Sequence, residues 1–156
     1  MEPPPDVSAT EVISLLKYLR EHGGEARIME IATGTHREFA RIVNTVKAAE
    51  MLGLVETPQT MAALTEKGKR LIEAPLDEQK VLWREQLLTL GLFREAHDVL
   101  RRQEVRSVDL DFILEMIVMR MPYENHSRVF NTFVDWARFG DLFAYDESAQ
   151  RVTLLR

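Results

Sequence analysis

No cysteine occurs among the 156 residues, so disulfides and thiolate chemistry are both excluded. No apolar run approaches the ~20 residues that a membrane-spanning helix needs. The longest, Phe112 to Met121, is interrupted by Glu115 and Arg120. A basic excess is missing as well: 20 Lys and Arg stand against 25 Asp and Glu, for a net charge of −5. Nucleic-acid binding draws most of its affinity from phosphate contacts and favours the opposite balance. Residues 1–75 hold 9 basic against 11 acidic side chains, and the remainder 11 against 14. Neither half is therefore a basic module inside an acidic whole. Met1-Glu2-Pro3-Pro4-Pro5-Asp6 lacks the basic and apolar regions of a signal peptide. Also absent is any Gly-x-x-x-x-Gly-Lys-Ser/Thr loop, so ATP phosphates find no cradle of that kind. A cytoplasmic location without membrane insertion is the simplest expectation.

What is present reads as a folded chain, because 46% hydrophobic and 29% charged residues suit a buried core under a solvated surface. It also reads as a repeat. Residues 8–73 spell three helical segments, a short apolar strand, a turn and a second strand, and residues 78–155 do the same. The first hairpin runs from Gly53-Leu54-Val55-Glu56-Thr57 into Met61-Ala62-Ala63-Leu64. The second runs from Gly140 through Leu142-Phe143-Ala144-Tyr145 into Arg151-Val152-Thr153-Leu154. Helices followed by a hairpin predict a mainly α protein with small β-hairpin wings, that is, tandem winged-helix (helix-turn-helix) domains. The boundaries expected are an extended linker over 1–7, a first domain over 8–76 and a second over 77–156 with connecting helices.

Local signals place the elements. Ser8-Ala9-Thr10-Glu11 is a capping box, followed by Val12, Leu15, Leu16 and Leu19 at helical spacing. Gly23-Gly24 stops that helix. A short second helix is predicted over Ala26 to Ala32. Thr35-His36-Arg37-Glu38 reads as another capping box, opening a longer helix to about Met51 with Phe39, Ile42, Val43, Val46 and Ala49 buried. Thr65 to Ile72 reads as a closing helix. Asp77 is a candidate N-cap for the next helix, and Gly91 a break. Leu110, Ile113, Leu114, Ile117 and Val118 are expected inward on a helix started by Ser107 or Asp109 and ended by Pro122. Asn125 is a cap for a last helix whose Val129, Phe130, Phe133 and Trp136 form an aromatic face.

Two stretches carry a family resemblance. Val81-Leu82-Trp83-Arg84-Glu85-Gln86-Leu87-Leu88, with Phe133-Val134-Asp135-Trp136-Ala137-Arg138-Phe139-Gly140-Asp141-Leu142-Phe143-Ala144-Tyr145-Asp146, resembles the AAA-associated C-terminal domain family. Ala48 to Val55 and Leu64 to Gly68 fit it as well, so the likeness covers nearly the whole chain. It implies a domain that follows the ATP-binding subunit of an ABC-type importer of the nitrate, sulfonate, taurine or bicarbonate kind. The partner implied is that ATPase domain or subunit, with a homodimer across the transporter as a further expectation. The location implied is cytoplasmic, peripheral to the inner membrane through the transporter complex. The chain is expected to be either a C-terminal piece of such an ATPase or a free-standing relative, and the proline-rich start favours the first.

Candidate sites are few. Arg84, Glu85 and Gln86 with Asp135, Trp136 and Arg138 are expected to form a polar cluster, read as an internal strut before a ligand or partner site. Thr35, His36, Arg37, Arg41 and Lys47 lie on or near the recognition-helix position and are the nucleic-acid contacts of the rival reading, a winged-helix transcriptional regulator. A small-molecule sensor is a third reading. His22, His36, His97 and His126 are scattered without metal-ligand spacing, and Asp109, Asp111 and Glu115 suit a helix start. No nucleophile–base pair or carboxylate dyad stands out, so the chain is expected to be non-catalytic and without a cofactor. Met116, Met119 and Met121 are an adaptable apolar group, with Met119 the member expected at the surface.

Overall fold

Ser8 opens the first helix in the computed structural model, which describes residues 1–156. Its hydroxyl accepts from the Glu11 amide at 3.1 Å, and the Glu11 carboxylate accepts from the Ser8 amide at 3.1 Å. The capping box is therefore as its sequence predicts. The helix, α1 (Ala9–Glu21), buries Val12, Leu15, Leu16 and Leu19 on one face. It ends at Gly23 and Gly24, whose φ values of 81° and 91° are readily reached only without a Cβ.

The chain divides into two units, Pro5–Gln79 and Met1–Pro4 with Lys80–Arg156. In Pro5–Gln79, α1 is followed by β1 (Glu25–Arg27), α2 (Ile28–Thr35), α3 (Phe39–Met51), β2 (Val55–Glu56), β3 (Met61–Leu64) and α4 (Glu66–Glu73). The strands form an antiparallel sheet in the order β1-β3-β2, with Ala26 opposite Ala62 and Val55 opposite Leu64. Val12, Leu16, Leu19, Ile31, Leu52 and Leu71 are wholly buried. Each contributes about 1.5–3 kcal/mol by leaving water.

The unit holding Lys80–Arg156 repeats the order after an extra helix, α5 (Leu76–Leu87), within which the division between the units falls. Then come α6 (Gly91–Arg102), β4 (Ser107–Asp109), α7 (Leu110–Arg120), α8 (His126–Phe139), β5 (Phe143–Asp146) and β6 (Arg151–Leu154). The second sheet has the order β4-β6-β5, with Val108 and Tyr145 both opposite Val152. Its core is aromatic. Phe93 stacks on Phe133 at 5.0 Å between ring centroids, Phe133 lies 5.3 Å from Phe143, and Trp83 meets Phe139 edge-on at 5.1 Å. Phe130 meets Tyr145 edge-on at 5.1 Å, so the last helix packs on β5 through aromatic rings.

Several expectations need correction. Each hairpin gains a third strand, β1 or β4, that the sequence reading left out. Ala26 therefore lies in a strand, not in a helix. Thr35-His36-Arg37-Glu38 is not a capping box. Thr35 is the last residue of α2, and its hydroxyl donates to the Ile31 carbonyl at 2.7 Å. His36 follows in the left-handed region at φ 55°, and α3 starts after Glu38 with no side-chain cap. Phe39 is 48% exposed, because it sits in the first turn of α3 before the buried stripe of Ile42, Val46 and Ala49 begins. Asp77 lies inside the first turn of α5 instead of capping it. Val118 also turns outward, since Ile113, Met116 and Ile117 take the inward face of α7. Asn125 does cap α8, accepting from the Arg128 amide at 3.1 Å.

Candidate functional site

The recognition-helix residues are largely engaged within their own unit. The Arg41 guanidinium donates from Nη2 to both oxygens of Glu11, at 2.7 and 2.8 Å, and from Nε to one of them at 3.1 Å. Its Nη1 donates to the Asp6 carbonyl at 2.9 Å. Arg37, which precedes α3, places Nη1 3.6 Å from the same carboxylate. Glu11 thus serves two arginines and a helix cap together. Thr35 is turned back on α2, His36 is the left-handed residue after it, and Lys47 is exposed on α3. The structure does not gather the five residues into one basic face.

The second group is partly assembled. The buried indole of Trp83 donates to the Trp136 carbonyl at 2.8 Å. Arg84 donates from Nη1 to the Gly140 carbonyl at 2.6 Å, so its acceptor is backbone where a carboxylate was expected. Lys80 lies 3.5 Å from Asp141, one turn earlier on the same helix. A Cβ at Gly140 would come within 3.0 Å of the Trp83 ring and 3.3 Å of the Arg84 Cβ, which is why the helix end carries none. Trp136 lies buried against Phe93 at 6.1 Å. Gln86 and Asp135 are half-buried and engaged, while Glu85 and Arg138 face solvent. These contacts clamp α5 to the end of α8.

Elsewhere the histidines stay apart. His22 stacks on Tyr18 at 3.9 Å, His97 lies 3.0 Å from the Arg156 carbonyl, and the Nε2 of His126 is buried without a partner. No three of the His, Asp and Glu side chains converge as metal ligands.

On α7, Phe112, Val118 and Met119 are exposed, Met119 to 79%. Two adjoining depressions of about 290 and 340 Å³ share Met119 and Glu115. The first lies towards α6 and includes Val99, Phe112 and Met116; the second includes Leu114 and Val118. Its polar edge is the pair of Arg120 and Glu95, joined by two hydrogen bonds of 3.0 Å. Those bonds, and then the carboxylate charge, raise the Arg120 pKa above its ordinary value. Charged residues thus bound an exposed apolar strip on α7.

Sequence reasoning singled out Met119 but not Phe112, Val99, Glu95 or Arg120. A signal was available: residues 112, 115 and 119 share one helical face, beside the inward face at 113, 116 and 117. It was hidden because α7 is apolar on both sides, so one stripe does not stand out.

A family model described as the C-terminal AAA-associated domain matches residues 29–146. No curated protein and no solved structure gives a significant match.

Proposed function

Because the chain belongs to the C-terminal AAA-associated domain family, we propose that it is a non-catalytic regulatory domain that docks on a partner ATPase. The observation that carries this reading is the exposed apolar face of α7 around Met119. Apolar area of that kind is costly to leave in water and is retained where a partner covers it. The partner we infer is the ATP-binding subunit of an ABC-type importer of the nitrate, sulfonate, taurine or bicarbonate kind. That choice rests on the stretches 81–88 and 133–146. It would hold the chain at the inner face of the membrane through the complex; no helix of its own is long and apolar enough to cross.

The units themselves read as tandem winged helices. Support comes from the order helix, strand, helix, helix, strand, strand, which occurs in both, with the first strand pairing the last. Such a module regulates by binding one state of the ATPase more tightly than another. Docking that favours the open nucleotide domains slows hydrolysis, and docking that favours closure speeds it.

The test is to mix the full chain with the ATPase encoded beside it, or in frame with it, and to follow association and hydrolysis. Association with a changed rate supports the reading. No association and no change in rate overturns it. The nucleic-acid alternative has less in its favour, since Arg37 and Arg41 are committed to Glu11 and the chain is acidic.

A further inference from the structure

We propose that the groove along α6 and α7 takes a cationic amphipathic helix of the partner, an inference that rests on the docking reading above. Three observations carry it. The first is shape. The two depressions lie side by side along α7, whose 11 residues extend about 16 Å. That length faces roughly three turns of a bound helix. The second is the lining. Phe112, Val118 and Met119 offer apolar contacts to anchors spaced i, i+3/i+4 and i+7 on the bound helix, and the unbranched Met119 adapts to their shape.

The third is charge, and it selects the occupant. Three carboxylates, Glu95, Asp111 and Glu115, line the depressions against the single guanidinium of Arg120. Arg120 is matched by Glu95. Asp111 and Glu115 have no ion-pair partner and leave the rim acidic. A helix that brings Lys or Arg beside its apolar stripe answers both features. A second copy of this chain does not, because a two-fold contact would bring together two such rims, each with three carboxylates to one guanidinium. Anionic lipid headgroups are repelled for the same reason.

The probe is a fluorescent Leu/Lys peptide of about 18 residues with helical periodicity, beside a Leu/Glu peptide with identical Leu positions. Anisotropy is read with the full chain, with Met119→Asp, and with Asp111→Lys plus Glu115→Lys. All three side chains lie at the surface, and far-UV dichroism checks the fold. The Leu/Lys peptide is expected to bind about tenfold tighter than its partner, a difference near 1.4 kcal/mol. Met119→Asp should weaken it about tenfold, and the double charge reversal should invert the preference. Equal binding of the two peptides, or a preference that survives the reversal, overturns the inference. So does a concentration-dependent dimer that Met119→Asp dissolves. The docking reading is judged separately, by association with the ATPase. If Met119→Asp abolishes that association while the charge reversal leaves it intact, docking stands and the cationic helix falls. If neither substitution affects it, docking through this face falls.

Discussion

Trp83 and Trp136 are joined by a buried hydrogen bond that spans 53 positions of sequence, from the indole nitrogen of one to the carbonyl oxygen of the other. Both side chains are wholly buried, so water does not replace the bond if it is lost. Trp83→Phe keeps an aromatic ring but removes the donor. It is expected to cost about 1–3 kcal/mol, read as a lower urea midpoint.

Gly68 gives a sharper steric test. A Cβ there would stand 2.0 Å from the carbonyl oxygen of Leu54, which is backbone and has little room to move. Gly68→Ala normally favours a helix by removing chain entropy. Here the clash should win, and a loss of about 3 kcal/mol is expected in thermal or urea unfolding.

Glu11 and Arg41 should be coupled. Nε and Nη2 of the guanidinium both reach the carboxylate, and the Glu11 side chain is only 17% exposed. A double-mutant cycle with Glu11→Gln and Arg41→Ala is expected to give about 0.5–1 kcal/mol. Raising salt should shrink the value, since Arg41 is 40% exposed. Coupling indistinguishable from zero at low salt would deny the pair any role.

Met119→Asp should leave stability within about 0.5 kcal/mol of the parent, because the side chain is 79% exposed. Its effect is expected in association with the ATPase alone. A large loss of stability would place Met119 among the packing residues.

In a gel shift at about 0.1 M salt, duplex DNA should not be retarded by the full chain. Arg37→Ala with Arg41→Ala should change nothing there. Retardation that disappears in this variant would restore the recognition-helix reading.

The signals legible in the sequence were those with a short reach. Ser8 and Glu11 cap α1 because the box needs only four residues to close. The same spacing at Thr35 and Glu38 misled, because the Thr35 hydroxyl had a nearer acceptor, the Ile31 carbonyl of its own helix. Three-residue strands such as Glu25–Arg27 and Ser107–Asp109 give too few alternations to register, and only their pairing with Met61–Leu64 and Arg151–Leu154 defines them. The Trp83–Trp136 clamp was visible as a group of residue types but not as geometry. Arg84 chose the Gly140 carbonyl over the carboxylate of Asp135 on the same distant helix, which no pattern of charges reveals. Met119 was readable as a surface methionine, whereas Glu95 and Arg120, 25 residues apart, meet only in space.

The repeated element order does not repeat the sticky face. On α2, the counterpart of α7, Met29 is the one large apolar side chain turned to solvent, where α7 presents three. Doubling the architecture therefore does not double the valence. Each polypeptide should saturate at one bound segment, and a titration that reached two equivalents would mean that α2 holds a grip of its own.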